Sequence, residues 1–394
     1  MPDRLDLPPC DDLLDDQSSS LYRYCAELAP SFREPGMAVD RDPDAIAAYT
    51  DLAGVRLNQF VHLPQQYWPR LDFPPAIMAA GRTCLGWSVL WEQLAYGDPG
   101  VTLGGPRPSL FGGMLTALGN EKQADRWFSR LAADSGNTFF GLTEPGKGSA
   151  ASELETRLTP ASGDDGWILN GEKRYIGNGA RSSMGVVFCR RVPGPFGIEA
   201  VVLDTASPGF SAELLPMIGL RGARISRMRF EDVLVPRENV LGGDRPPSRR
   251  GLNGALPVLQ RARPSIAAMA IGCARAVCAY LGEQRPGLAK SDRLRMADLL
   301  DRMAAVRRLI YRAAADIDAG RVNAHRIGAV KVQAAHLAAE ATMLAADLLG
   351  PASLIEHPWL EKTYRDVRAF EFTEGTTNLH WLSVYQGLRK NSFL

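Results

Sequence analysis

The chain is predicted to be an α+β protein with an N-terminal helical domain, a middle antiparallel β domain and a C-terminal four-helix bundle. Three observations predict this order. Helical periodicity dominates residues 1–135, short β-branched runs dominate 136–245, and long amphipathic patterns dominate 246–394. A chain of 394 residues is also long enough for two or three packed units.

Each domain has its own pattern along the chain. In the first, helical stretches separated by Pro- and Gly-containing loops are predicted at 21–28, 46–52, 79–94, 110–118 and 121–131. In the second, Asn-Gly, Pro-Gly and Ser-Pro signals separate the strand-like runs WILNGEKRYIGNG, MGVVFCRR, IEAVVLD and ISRMRFEDVLV. In the third, apolar residues at i, i+3, i+4 and i+7 predict bundle helices at 253–284, 291–319, 323–349 and 377–389.

The composition argues against several classes of function. A formal net charge of +1 provides no broad positive field for nucleic acid or an anionic membrane. No apolar run approaches the roughly 20 residues of a membrane span. The first residues, MPDRLDLPPCDDLLDDQ, lack the apolar core of a signal peptide, so we expect a cytoplasmic protein. The six cysteines and five histidines lack metal-site spacing, so no metal is expected and the histidines are interpreted as structural.

Two glycine-containing loops in the middle domain are candidates for ligand binding. In FFGLTEPGKGSAASELETRL, Pro145 cannot join a strand ladder, and Gly146 and Gly148 allow a ligand to approach the backbone. Freed N–H groups and Ser149 can then face a phosphate. The second loop, KRYIGNGARSS, carries the aromatic Tyr175, which suggests a planar ligand shared by both loops. Taken alone, a single loop of this kind is better explained as an ordinary surface loop, and it is the second loop that favours a shared ligand.

The segment FEFTEGTTNLH places a carboxylate, Glu374, beside a glycine that weakens the helix. One interpretation is a solvated residue at a helix boundary. The other is a proton acceptor held against a buried substrate. Thr376 is predicted to cap the last helix, with Asn378 in its first turn.

Five segments together resemble motifs of the acyl-CoA dehydrogenase family. They are LTEPGKGSAAS, WILNGEKRYIGNG, ISRMRFEDVLVPRENVLG, RARPSIAAMAIGCARA and YRDVRAFEFTEGTTNL, and they occur in family order from about residue 80 to 390. The resemblance implies an FAD-dependent dehydrogenase that oxidises the α,β bond of an acyl thioester, by α-proton abstraction and hydride transfer to flavin N5. Glu374 matches the base of that family. The position that carries the base in some other members is Arg261 here.

The resemblance also implies where ligands bind. Substrate contacts are expected from Ser149, Arg263 and Gly375. FAD contacts are expected from Phe140, Leu142, Thr143, Ser149, Tyr175, Ile176, Gly177, Arg285, Asp347, Gly350, Thr376 and Asn378. Gly177 departs from the family, which has a Thr whose hydroxyl bonds flavin N5, and Asp347 departs from a family Gln. Arg285 matches an Arg that reaches the FAD of a neighbouring subunit, so a homodimer or homotetramer is expected.

The acyl group is expected on coenzyme A or on a carrier protein, with an electron-transfer flavoprotein or oxygen as electron acceptor. Gln386 replaces an Arg that contacts coenzyme A in several members, and Arg389 lies one turn on. That departure is compatible with carrier-bound substrates of polyketide or antibiotic biosynthesis, or with a tolerated variant. The alternatives are a flavin oxidase or oxygenase, a hydroxyacyl-carrier-protein oxidase on the same fold, and a non-catalytic helical binding protein.

Overall fold

The structure is a computed structural model that describes residues 6–7, 10, 12–134, 136–163, 166–194 and 196–392. Its N-terminal helices are α1 Asp16–Leu28, α2 Arg33–Arg41, α3 Ala53–Phe60, α4 Pro75–Gly81, α5 Cys84–Gly97, α6 Pro99–Gly104, α7 Ser109–Leu118 and α8 Glu121–Asp134. The strands are β1 Asn137–Gly141, β2 Arg157–Pro160, β3 Trp167–Ile176, β4 Ser182–Arg190, β5 Ile198–Asp204, β6 Phe210–Leu214 and β7 Ser226–Val235. The C-terminal helices are α9 Gly251–Gln284, α10 Lys290–Asp318, α11 Ala324–Leu349, α12 Pro358–Val367 and α13 Thr377–Arg389.

The N-terminal domain is helical as expected, with two local differences. The predicted helix at 79–94 is divided into α4 and α5, because Thr83 starts a new helix by accepting a hydrogen bond from Gly86 N–H at 2.8 Å. The stretch predicted as a helix at 46–52 falls largely in the 3₁₀ turn Pro43–Tyr49. Proline at its first position and an Asp42 cap begin the turn, but the chain does not continue it as an α-helix.

The middle domain is one seven-stranded sheet with the order β1-β4-β2-β3-β7-β6, and β5 pairs with β4. The sheet, predicted as antiparallel, is mixed, because β1 lies parallel to β4 and β2 also pairs with β4 in parallel at Arg157 and Arg190. Turn signals in the sequence predict only how consecutive strands are connected. They could not predict the parallel pairing of β1 with β4, because these strands are distant in the chain. Val186 and Phe188 of β4 face the helical core, while Val187 and Cys189 face a second apolar cluster, as expected from the two-residue period of a strand.

The C-terminal domain is a bundle of α9, α10, α11 and α13, with the short α12 added. Helix α9 packs against α10 and α11 and also against α5 of the N-terminal domain. The helical stretch Pro247–Gln284 is long and apolar enough to cross a membrane, contrary to the expectation from the sequence. Of the 18-residue apolar window in this stretch, 83% is buried inside the protein, as in the core helix of a bundle.

A buried ionic cluster joins the three domains. Lys362 Nζ of α12 donates to Asp98 Oδ2 of the N-terminal domain and to Asp366 Oδ2, each at 2.5 Å. Asp366 Oδ1 accepts the N–H of Leu220, which lies between β6 and β7. Because α12 leads into the segment that carries Glu374, this cluster fixes that segment against the rest of the molecule.

The predicted domain boundaries, 1–135, 136–245 and 246–394, remain predictions. In the structure, helix α8 ends at Asp134 and β1 begins at Asn137, while β7 ends at Val235 and α9 begins at Gly251.

Candidate active site

The segment 371–376, which we call the base loop, is the break between the 3₁₀ turn Arg368–Glu371 and helix α13. Glu374 has a φ of 56° and Gly375 a φ of 103°. A left-handed backbone costs a residue with a side chain about 1–2 kcal/mol, so the surroundings must hold Glu374 in this conformation. Thr376 then starts α13, as predicted, by accepting a hydrogen bond from Leu379 N–H at 3.2 Å.

Side chains of α9, α11 and α13 hold the main-chain carbonyls of the base loop. Lys331 Nζ of α11 donates to Glu371 O at 3.2 Å and to Gly375 O at 2.7 Å. Arg263 Nε of α9 donates to Glu374 O at 3.2 Å. His380 Nε2 of α13 lies 3.2 Å from the same oxygen. In a continuous helix these carbonyls would accept hydrogen bonds from main-chain N–H groups of the same helix. Here they accept hydrogen bonds from side chains of three different helices.

The carboxyl group of Glu374 is enclosed by protein although the residue keeps part of its surface exposed. Burial raises the pKa of Glu374, and the positive charges of Arg263, Lys331 and Arg107 oppose that rise. Burial also lowers the pKa of Lys331 to about 8 and the pKa of His380 to about 4, so His380 is neutral near pH 7. The site thus combines a carboxylate that is more basic than a solvent-exposed one with cations that act on it.

The first glycine loop reaches the base loop. Glu144, at the start of TEPGKGS, is buried, and its Oε1 accepts from Lys173 Nζ at 2.7 Å and from Thr156 N–H at 2.9 Å. Five residues later, Ser149 Oγ lies 3.4 Å from Thr376 Oγ1 across 227 residues of chain. The structure therefore brings two of the predicted site segments into contact.

The glycine loops are open enough for the predicted cofactor. A Cβ at Gly146 would meet nothing within 4 Å, and one at Gly148 only Thr143 Cγ2 at 4.0 Å. Tyr175 is 58% exposed, so its ring is available to a ligand. A phosphate can approach the first loop and a flat ring the second, which fits FAD.

The other predicted FAD contacts on β1 and β3 differ in accessibility. Phe140, Leu142 and Thr143 are partly buried, and Thr143 O accepts the N–H of Arg174 at 2.9 Å. Ile176 is only 2% exposed and packs in the second apolar cluster of the sheet. Its side chain therefore supports the strand and is not presented on the surface.

Three predicted residues lie far from the base loop. Arg285 follows the end of α9, and Asp347 and Gly350 lie at the end of α11. At 1.5 Å per helical residue, Arg285 is about 33 Å along α9 from Arg263. Arg285 Nη1 donates to a main-chain carbonyl of α11, and Asp347 Oδ2 accepts from Arg295 Nη2 at 2.7 Å. These residues do not line the site of their own subunit.

The sequence analysis missed two residues whose positive charges act on Glu374. Lys331 is 1% exposed within the apolar run IGAVKVQAA, and a single lysine in such a run was a usable signal. Arg107 lies in the loop GGPRP, where nothing in the local sequence indicates a buried guanidinium. Arg261, in the alternative base position, forms an ion pair with Asp318 at 3.4 Å. Among the described residues, no group of three or more His, Cys, Asp or Glu could hold a metal ion.

A carboxylate of raised pKa beside open glycine loops fits the expected class of protein, an FAD-dependent oxidoreductase. Comparison with known proteins gives the family. The acyl-CoA dehydrogenase middle-domain model matches residues 139–233, and the acyl-CoA dehydrogenase C-terminal-domain model matches residues 249–388. The chain belongs to the acyl-CoA dehydrogenase family, which confirms the expected fold class, enzyme class and FAD cofactor.

Individual relatives agree with this assignment. The chain is 30% identical over 285 residues to acryloyl-CoA reductase (NADH) of Anaerotignum propionicum, covering 69% of this chain and 71% of that protein. It is 28% identical over 328 residues to the mitochondrial short-chain specific acyl-CoA dehydrogenase of Rattus norvegicus, covering 80% and 78%. A glutaryl-CoA dehydrogenase of Mycobacterium smegmatis in complex with FADH2 shares the fold with a TM-score of 0.83 at 22% identity, covering 97% and 96%.

Proposed function

We propose that the protein oxidises the α,β bond of an acyl thioester and that Glu374 is the base that takes the α-proton. The observation that supports this most directly is the base loop itself. It holds an enclosed carboxylate of raised pKa in a left-handed backbone conformation, with its carbonyls bonded to three helices. A solvated residue at a helix boundary would need none of these contacts.

The chain's own residues provide two parts of the proton transfer. A thioester α-proton is weakly acidic, so a base of raised pKa gains driving force for accepting it. The N–H of Glu374 makes no hydrogen bond in the part of the chain that the structure describes, and it is free to donate to the thioester carbonyl. The cations Arg107, Arg263 and Lys331 favour the negative charge that develops there. FAD, when bound, supplies the acceptor for the β-hydride at its N5 atom.

FAD contacts would come from two subunits. Ser149, Tyr175, Gly177, Thr376 and Asn378 would hold the flavin side within one subunit. Arg285, Asp347 and Gly350 lie at the opposite end of the bundle and would reach a cofactor bound by a neighbour. Their distance from the base loop of their own subunit supports a homodimer or homotetramer.

We extend the proposal to the substrate carrier, the electron acceptor and the location of the protein. Gln386 and Arg389 are both exposed on α13, so either coenzyme A or a carrier-protein arm can be presented there. Carrier-bound acyl groups would place the protein in polyketide or antibiotic biosynthesis. An electron-transfer flavoprotein or oxygen would reoxidise it, in the cytoplasm and without a nucleic-acid or membrane partner.

A second candidate function is a flavin oxidase or oxygenase, including a hydroxyacyl-carrier-protein oxidase. The observation that favours it is Gly177, where a side chain would meet nothing nearer than Ala223 O at 3.9 Å. The absence of a hydroxyl at this position leaves the flavin side of the site more open.

Anaerobic flavin reduction tests the proposal. Purified holoenzyme is mixed with acyl-coenzyme A or acyl-carrier substrates, and flavin absorbance and product mass are followed. We expect bleaching and loss of two hydrogens from the acyl group. Glu374→Gln should keep FAD and fold but slow bleaching by a factor of about 10³ or more, since it removes the base. Near-normal bleaching by that variant would exclude Glu374 as the base, and rapid peroxide release in air would favour the oxidase.

A further inference from the structure

Lys173 of β3 and Glu144 of the first glycine loop form a buried ion pair, which we call the loop clamp. The Lys173 side chain is fully buried, Glu144 is 4% exposed, and Lys173 Nζ lies 2.7 Å from Glu144 Oε1. Burial alone would raise the pKa of Glu144, but the charge and the hydrogen bond of Lys173 lower it, so the carboxylate is ionised near pH 7. A buried ion pair often adds little to stability, so its place in the fold calls for another explanation.

The loop clamp joins the two ends of the first glycine loop. Glu144 opens the loop, and its carboxylate accepts the N–H of Glu155 at 2.5 Å and the N–H of Thr156 at 2.9 Å, just before β2 begins. Ser149, which contacts Thr376, lies about midway between these ends. The clamp therefore fixes the entry and the exit of the segment that is predicted to face the phosphates of FAD.

The loop clamp also ties this loop to the strand that presents Tyr175. Lys173 Nζ donates a second hydrogen bond to Leu142 O, just past the end of β1, at 3.2 Å. The next residue, Arg174, donates its N–H to Thr143 O at 2.9 Å. Leu142, Thr143 and Tyr175 are all predicted flavin contacts. The two segments that carry them are thus held together by Lys173 and its neighbour in the chain.

Tyr175 depends on this support because its backbone is irregular. Strands β3 and β7 pair in register from Gly171 to Lys173, and the register shifts before pairing resumes at Ile176. Within this bulge Tyr175 has a φ of 63°, a left-handed conformation that is unfavourable for a residue with a side chain. A bulge redirects a side chain, and here it leaves Tyr175 58% exposed. Lys173 lies at the start of the bulge, so its contacts fix where the ring is presented.

We propose that the loop clamp positions the FAD site: Glu144 and Lys173 hold the glycine loop, the end of β1 and Tyr175 in one arrangement before FAD binds. A site that is already ordered loses less conformational entropy on binding, so the clamp increases the affinity for FAD. It also determines the environment of the bound flavin, through the backbone and Tyr175. This inference goes beyond the proposed dehydrogenation and does not depend on it.

FAD binding and flavin environment are the two properties that test the clamp. Stepwise dilution of holoenzyme, with the fluorescence of released flavin as the signal, gives the dissociation constant of FAD. Visible circular dichroism and the midpoint potential report the environment of the bound flavin. In Lys173→Met we expect FAD to bind about 10- to 100-fold more weakly, the range for losing hydrogen bonds to a charged group. The circular dichroism and the midpoint potential should change as well.

Glu172→Gln is the matched control for Lys173→Met. Glu172 is the preceding residue of β3, its side chain points to the opposite face of the sheet, and it pairs with Arg227. This variant should keep the FAD affinity, circular dichroism and midpoint potential of the unaltered protein. Equal effects of Glu172→Gln and Lys173→Met would overturn the inference, because the face of the strand would then not matter.

A double variant separates positioning from stability. Lys173→Met alone leaves a buried carboxylate without its cation, whereas Lys173→Met combined with Glu144→Gln removes both charges. We expect the double variant to regain stability in urea, while its FAD affinity stays low and its flavin spectrum stays altered. Recovery of normal FAD binding together with stability would overturn the inference, since the pair would then serve stability alone.

Arg275→Met controls for destabilisation in general. It breaks a buried ion pair with Glu92 among the helices, away from the sheet. We expect it to lower stability without the change in flavin circular dichroism. A loss of FAD affinity and a spectral change equal to those of Lys173→Met would overturn the inference. No acyl thioester enters any of these measurements, so failure of the clamp and failure of the proposed dehydrogenation are distinguishable.

Discussion

Lys331 and Gly375 are joined by a hydrogen bond of 2.7 Å, from a buried ammonium on α11 to the carbonyl next to the base. A second bond from the same ammonium reaches Glu371 O, so one side chain spans the base loop from its start to the residue after Glu374. Lys331 is therefore a positioning residue with two effects. It fixes the backbone on both sides of Glu374, and it contributes a positive charge that favours the ionised carboxylate.

The pH dependence of turnover separates these two effects. Glu374 must be ionised to act as a base, so kcat/KM should fall as the pH drops through its raised pKa, which lies above the ordinary 4.5. In Lys331→Met the loss of a nearby cation raises that pKa further. The acid limb should then move to higher pH, and kcat should fall by about 10- to 100-fold because the base loop is less well placed. Steady-state profiles from pH 5 to 9 measure both changes.

The control for Lys331 is Lys122→Met, which alters an exposed lysine of α8. It should have the pH profile of the unaltered protein. An unshifted acid limb in Lys331→Met would show that the ammonium does not act on the charge of Glu374.

Gly177 offers a direct test of flavin reactivity. A Cβ there has space, with Ala223 O at 3.9 Å and Ile225 Cδ1 at 4.0 Å as its nearest contacts. Gly177→Thr should therefore fold and present a hydroxyl to the flavin. We expect a changed flavin spectrum and midpoint potential, and slower oxygen consumption by the reduced enzyme. Gly177→Val has nearly the same shape without the hydroxyl, and identical behaviour of the two variants would attribute any change to bulk alone.

The sharing of cofactor sites between subunits is tested by mixing two defective variants. Arg285→Ala should weaken FAD binding by about 10- to 100-fold, the effect of losing a charge-assisted hydrogen bond. When it is co-assembled with Glu374→Gln at limiting FAD, one site per mixed dimer regains both an intact base and the neighbour's arginine. Recovery of activity on mixing is the expected result. If Arg285 served its own subunit, no site in the mixed dimer would be complete and activity would not recover.

Lys362 is expected to have a large effect on stability. Lys362 is 2% exposed, and its ammonium lies between two buried carboxylates, Asp98 and Asp366. Lys362→Met would leave both acids without their cation, and we expect a loss of about 3–5 kcal/mol in the free energy of unfolding. Lys290→Met changes an exposed lysine and should stay within about 0.5 kcal/mol. Urea unfolding at fixed protein concentration compares them; a Lys362→Met variant as stable as the control would contradict this role.

The sequence was sufficient to predict the main helices and strands, because the regular spacing of apolar residues and the turn signals are local features of the chain. The patterns at 323–349 and 377–389 agree with α11 and α13 within a residue. The parallel pairing of β1 with β4 could not be predicted, since it depends on strands that no turn connects.

For the site, the motif around Glu374 and the loop around Ser149 could be found from the sequence. The contact between these two segments could not be predicted from the sequence, and neither could the cations near Glu374. Arg107 and Lys331 are distant from the motifs in sequence, and folding alone brings their charges beside Glu374. The structure places them there, whereas the roles of the predicted cofactor contacts remain predictions.

The left-handed backbone at Glu374 has an evolutionary consequence. Glycine adopts a φ of 56° without penalty, so replacing this glutamate with glycine would relieve about 1 kcal/mol of conformational strain. A substitution by glycine would therefore be favoured by backbone conformation, in contrast to substitutions by residues with a β-carbon. A lineage that no longer needed proton abstraction would lose this side chain early and keep the flavin-binding sheet, which is a short route from a dehydrogenase to an enzyme with a different flavin chemistry.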